Sequence, residues 1–225
     1  MRRESLAVGA LVVTVGLAPA LRAWAFPEFA RQAKLACATC HAIPAGGADL
    51  TDAAKAFKAD RTKVPAAGAA KAAEYVGVNK CKMCHPKQYK PWLETRHANA
   101  FGFLQKADAK AAADVAAKLK VELKGAPAQD EACVICHVTG FKLAGGYPAA
   151  DSAKTAAVSN VTCEACHGPG SLHVAAAMAD KKKLINRAVG ANLCMQCHTP
   201  VVSPAFKFEE FKLRVHPVPV PKTGG

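Results

Sequence analysis

Apolar residues run together at length only once in this chain, at positions 6–17, behind Arg2 and Arg3 and ahead of Ala23-Trp24-Ala25. A short positive stretch, an apolar run of about twelve residues and an A-x-A site form a secretory leader. Residues 1–25 therefore read as a signal peptide, with the mature chain starting near Phe26. Beyond it the apolar positions come in short groups at helical spacing. The pattern predicts helices over residues 50–59 and 108–119, the latter rich in Ala and Lys and solvent-facing. A further helix is expected over 91–97, with Pro91 near its first turn, and another after the Gly168-Pro169-Gly170 turn, leading to His173. Residues 142–160, rich in Gly, Ala and Ser, read as a loop, and the tail from His216 as extended, polyproline-like chain. No run alternates with the period of a strand. The fold class expected is mainly α with extensive loops and little or no β-sheet. The organisation expected is a leader (1–25), an N-terminal segment (26–64), a linker broken by Pro65 and Gly68 (65–73), and a larger unit over 74–225.

Composition sharpens this picture. Of 225 residues 51% are hydrophobic but only 6% aromatic, and Ala supplies much of the apolar share. That is thin material for a large core of ordinary side chains. A polytopic membrane protein is excluded, because the only apolar run near spanning length is the leader. A disordered chain is excluded by moderate charge and hydropathy near zero. The net charge is +13; without residues 1–25, 27 Lys and Arg face 16 Asp and Glu, leaving +11. An exported chain enters a compartment where free thiols do not persist, so its 10 cysteines need a purpose.

All ten fall into five copies of one pattern: Cys37-Ala-Thr-Cys40-His41, Cys81-Lys-Met-Cys84-His85, Cys133-Val-Ile-Cys136-His137, Cys163-Glu-Ala-Cys166-His167 and Cys194-Met-Gln-Cys197-His198. C-x-x-C-H is the attachment site of c-type haem. Two thiols add to the porphyrin vinyl groups, and the adjacent histidine becomes an axial ligand of the iron. Structural zinc sites do not fit, since five pairs do not divide into four-ligand cages and zinc asks for no histidine beside the second cysteine. Redox dithiols occur singly, opening a helix in a thioredoxin-like unit. The cofactors expected are five covalently bound haem c groups, about 40 mature residues to each. The porphyrins would then form the core, and the basic charge would offset their propionates, which argues against nucleic-acid binding.

Five irons offer ten axial positions, and the motif histidines fill five. Outside the motifs stand only His97, His173 and His216, each a candidate distal ligand. Two sixth positions must therefore be met by Met, Lys, a neighbouring chain or water, or stay open. Met83 and Met195 lie inside motifs, which leaves Met178 as the methionine to consider. No His or Met occurs between residues 42 and 82, so the haem at Cys37–His41 finds neither ligand locally.

The run Cys81-Lys-Met-Cys84-His85, followed by Tyr89, Trp92, Thr95, His97-Ala98 and Phe101, resembles the signature of the cytochrome c-554 family, as does Cys163-Glu-Ala-Cys166-His167-Gly168-Pro169-Gly170-Ser171-Leu172-His173. The resemblance spans about residues 75–217. It implies four haems in closely stacked pairs, three irons with two histidines and one five-coordinate, the last carried by motif order onto Cys133, Cys136 and His137. The Cys37–His41 haem has no counterpart in that pattern. The function expected is an exported pentahaem carrier in the periplasm or at the cell surface, passing electrons between donor and acceptor proteins. Lys181, Lys182 and Lys183 are a candidate steering patch. No integral membrane anchor is expected after leader cleavage. Two alternatives stand beside this one: an enzyme reducing a nitrogen or sulfur oxyanion at an open haem, and a homo-oligomeric conductive filament built through haem contacts.

Overall fold

A computed structural model of the chain describes residues 27–66 and 72–215. The leader, residues 67–71 of the linker and the tail from His216 lie outside the described residues. Within them the architecture is helical, with only two isolated β-bridges, His41 with Leu50 and Val138 with Ser159. The fold class is mainly α with extensive loops, as the pattern predicts.

Local chemistry sets most helix ends. Thr51 opens the helix Asp52–Ala59 by accepting from the Ala54 amide at 3.2 Å, and Asp108 opens Ala109–Leu119 by accepting from Ala111 at 2.9 Å. Asp130 and Asp151 cap Glu131–His137 and Ser152–Val158 in the same way. These caps satisfy amides that a first helical turn leaves without partners. Two expectations need correction. Residues 142–160 are not all loop, because Asp151 starts Ser152–Val158 within them. The helix around Pro91 is Pro86–Leu93, closing before His97, which sits in a separate 3-10 turn, Arg96–Asn99, opened by Thr95. Here Pro86 supplies the fixed φ of the first position, a role expected of Pro91.

The apolar core is small. Its main cluster is Leu104, Val134, Val138 and Phe141, with Phe101, Ile135 and Tyr147 against it. Residues 158–162 form a central strap. Thr139 donates from Oγ1 to the Asn160 carbonyl (2.8 Å), the Trp92 indole donates to the Val161 carbonyl (3.1 Å), the Phe101 amide reaches Asn160 Oδ1 (2.8 Å), and the Val161 amide reaches the His97 carbonyl (3.1 Å). Asn160 takes a left-handed φ of 75°, which Asn tolerates better than most residues. The strap thereby ties the His97 turn and the region after His137 to the start of Cys163–His167.

Candidate functional site

A C-x-x-C-H segment coiled into one turn puts its two cysteines, three apart, on the same side. In Cys37–Cys40, Glu131–His137 and Cys163–His167 the helix takes in both cysteines, whereas Val78–Cys81 and Ala191–Cys194 end at the first cysteine and a turn completes the motif. The closing bond is alike in both forms. The amides of His41, His85 and His198 each donate to the carbonyl four residues back, at 2.9 Å.

The motifs do not lie in chain order. The Cys81 thiol rests against that of Cys163, a contact that pushes Cys81 up and Cys163 down. Cys136 and Cys197 form the corresponding couple, with Cys136 pushed down by the contact and Cys197 up. The second motif thus meets the fourth, and the third meets the fifth. None of the ten cysteines is in a disulfide.

The imidazoles are arranged across gaps. The ring centres of His85 and His173 stand 6.1 Å apart, with planes inclined by 23°; those of His97 and His198 stand 5.9 Å apart, inclined by 56°. The first pair is near parallel and the second tilted. Two metal–imidazole bonds of about 2.0 Å, plus about 1.1 Å from each nitrogen to its ring centre, give about 6 Å, so each pair has room for one metal between its rings. Each joins a motif histidine to one outside the motifs and far away in sequence. His216 is outside the described residues.

Hydrogen bonds orient these rings. Nδ1 of His137 lies 2.8 Å from the Ala100 carbonyl, that of His167 2.7 Å from the Asn186 carbonyl, and that of His173 2.9 Å from the Lys181 carbonyl. A carbonyl only accepts, so Nδ1 donates and Nε2 keeps its lone pair free for a ligand. His198 has Ser203 Oγ at 3.0 Å and the Phe206 ring stacked at 4.5 Å. Burial is the first cause lowering the affinity of His41, His85, His97 and His198 for a proton, with a neighbouring imidazole adding to the effect at His85 and His97. Neutral imidazole is the form that ligates a metal.

Sequence reasoning missed Glu164, the first x of the fourth motif. It is 2% exposed and accepts from the amides of Val76 (3.0 Å), Gly77 (2.8 Å) and Gly170 (2.7 Å). Burial raises its carboxyl, against the pull of these three amides. A carboxylate inside a motif, next to a Gly-Pro-Gly turn whose last amide can reach it, was the available signal. Met178 is 81% exposed. The lysine patch is also only partly surface charge: Lys181 Nζ donates to the carbonyls of His173 and Val174, closing the helix Ser171–Ala175, and Lys183 pairs with Asp180.

The N-terminal motif is set apart by its surroundings. His41 pairs with Leu50 beside an open groove of about 760 Å³ lined by Ala48, Asp49, Leu50, Lys55, Lys58 and Ala59. Its ring is partly buried, with the Gly47 backbone acting on it from the same loop. The following turn packs on the fourth motif so closely that a Cβ on Gly168, whose φ is +77°, would stand 1.7 Å from the Ala45 carbonyl oxygen.

Helices built on C-x-x-C-H and facing imidazoles define a c-type cytochrome with covalently bound haem c. Residues 80–168, which hold three of the five motifs, match the family model described as cytochrome c554 and c-prime. Cytochrome c-554 of Nitrosomonas europaea is 40% identical over 98 residues, 44% of this chain and 40% of that protein. A solved structure of the reduced state of cytochrome c554 from the same organism covers 62% of this chain and 82% of its own, with 27% identity and a TM-score of 0.46. The aligned part thus spans about two fifths of the curated relative. The chain resembles the cytochrome c-554 family, and the match to the family model stops short of Cys194 and does not include Cys37.

Proposed function

We propose that this protein is an exported pentahaem c-type cytochrome that carries electrons between redox proteins, working outside the cytoplasmic membrane after the leader over residues 1–25 is removed. The observation that carries the reading is the pair of imidazole gaps, His85 with His173 and His97 with His198, each at the separation a shared iron requires. Cys37 with Cys40, Cys81 with Cys84, Cys133 with Cys136, Cys163 with Cys166 and Cys194 with Cys197 would each hold one haem, with His41, His85, His137, His167 and His198 on the irons. Haem supplies one-electron chemistry at an iron whose potential the axial ligands tune over about 0.8 V.

The chain's own work is positioning. Carbonyls at Ala100, Asn186 and Lys181 fix ring tautomers, and the contacts of Cys81 with Cys163 and of Cys136 with Cys197 bring four motifs together as two couples. The small apolar core agrees with a fold completed by its cofactors. So does the groove beside His41, where Lys55 and Lys58 suit propionates. Among the described residues no helix is long and apolar enough to cross a membrane.

Haem counting by pyridine haemochrome, with quantitative EPR of the ferric protein, tests this reading. Five haems per chain, at least two of them low-spin with two imidazoles, is the expected result; two or fewer haems overturns it. The same spectra address a second reading. His97 and His173 each face another motif's histidine, which leaves His216 as the single remaining histidine for His41, His137 and His167. At least two irons would then lack a second imidazole, and a high-spin signal that shifts with nitric oxide on reduction would favour an open, reactive site.

A further inference from the structure

The polypeptide is most open at the second motif. Cys84 is the one exposed cysteine of the ten, and Met83 is 72% exposed. Around them stand Lys80, Lys82, Lys87 and Lys90, all exposed. Trp92 explains their placement: buried at 6% exposure and tied to the Val161 carbonyl, it pins the inner side of Pro86–Leu93 and leaves Lys87 and Lys90, three apart, on one outer face. Over residues 79–98 four lysines and Arg96 face a single carboxylate, Glu94.

Elsewhere, seven of the sixteen lysines in the described residues form ion pairs with Asp or Glu, five at i,i+3 and one at i,i+4. None of the four around Cys84 does. Like-charged side chains without carboxylate partners, grouped on an exposed rim, raise the local positive potential, which steers an oppositely charged partner and speeds encounter at low salt.

We propose that the lysine rim of Lys80, Lys82, Lys87 and Lys90 is the docking surface for an acidic redox protein, and that the haem held by Cys81, Cys84 and His85 is where electrons enter or leave. This rests on the electron-carrier reading above. In the transfer the reduced partner gives up one electron and one ferric iron of this chain takes it; no bond is made or broken.

The test uses the haem-loaded protein and reduced flavodoxin, an acidic one-electron donor, in stopped flow. Two fourfold variants remove equal charge: Lys→Gln at positions 80, 82, 87 and 90, and Lys→Gln at positions 106, 110, 118 and 120 around Ala109–Leu119. At 10 mM ionic strength, where screening extends over about 30 Å, the rim variant should react at least about tenfold more slowly than wild type and the control within about twofold. The difference should vanish in high salt. Carbodiimide cross-links to flavodoxin should map to the rim lysines, and reduction by free reduced riboflavin, a small uncharged donor, should be equal in all three proteins. Equal slowing in both variants, no slowing in either, or cross-links elsewhere overturns the docking surface while leaving the carrier reading intact. A wild-type protein without a haem c spectrum overturns both.

Discussion

The region around Cys37–His41 and the body over residues 72–215 use the same five-residue pattern in different settings. In the body, each motif histidine has an Nδ1 partner or a facing imidazole, and His198 has both. A carbonyl or hydroxyl fixes Nδ1 of His137, His167 and His198, and an imidazole from a distant part of the chain faces His85 and His198. His41 has no facing imidazole; its own loop supplies the Gly47 backbone, and its bridge partner Leu50 lines a wide groove. Support of the first kind is what orients a metal ligand and raises its basicity. The motif alone therefore fixes where a haem is attached, while the surroundings decide how tightly its iron is specified. The body is a web of long-range ties; the N-terminal region meets it where Ala45 packs on Gly168 and where Gly47 lies beside Asn186.

The largest expected effect lies at the knot of that web. Glu164→Ala leaves three amides without an acceptor in a buried site. At about 1.5–3 kcal/mol for each bond to a charged group, less what water recovers, stability should fall by about 3 kcal/mol or more. Glu164→Gln keeps one carbonyl oxygen and should lose about half as much. Denaturant unfolding of the two haem-loaded variants checks the order; a loss under about 1 kcal/mol for the Ala variant would show that the cage is not what ties residue 76 to residue 170.

Next in size is the seam between the two regions. Gly168→Ala requires a side chain at φ +77°, a strain of about 1–2 kcal/mol, and the new Cβ meets backbone at Ala45. Backbone yields less readily than a side-chain tip, so the turn after His41 should be displaced. The expected outcome is faster proteolysis between residues 60 and 72, with the body's haem spectrum nearly unchanged. If cutting is no faster, or the body's spectrum collapses as well, the two regions are one cooperative unit.

The sequence carried the attachment chemistry because that chemistry is local: two thiols and an imidazole within five residues need no tertiary partner to be recognised. Helices with a capping residue were legible for the same reason, as at Asp108 and Thr51. What was not legible depends on long-range closure. Nothing near His85 in the chain announces His173, and nothing near His198 announces His97, since each pairing spans about ninety residues or more and is set by the strap at 158–162 and the couple of Cys81 with Cys163. Glu164 escaped because a charged residue between two cysteines reads as a solvated position until Gly77 and Gly170 are seen around it. The His97 helix was misplaced because Pro86 and Pro91 both suit a first turn, and only the fold chooses between them.

The smallest effect tests how finely a distant histidine is held. Lys181 Nζ closes Ser171–Ala175 by donating to the His173 and Val174 carbonyls at 2.9 and 2.8 Å, while its own carbonyl accepts from His173 Nδ1. Lys181→Ala removes the first of these and keeps the second, since the backbone carbonyl remains. A partly exposed cation at a helix C-terminus contributes about 0.3–1 kcal/mol, so global stability should drop by no more than that. The ring of His173 should nonetheless become less strictly oriented. The EPR g-values of the corresponding low-spin haem should broaden, while those assigned to the His97 and His198 pair stay sharp. Broadening of both, or of neither, would mean that Lys181 does not act on His173 through this one turn.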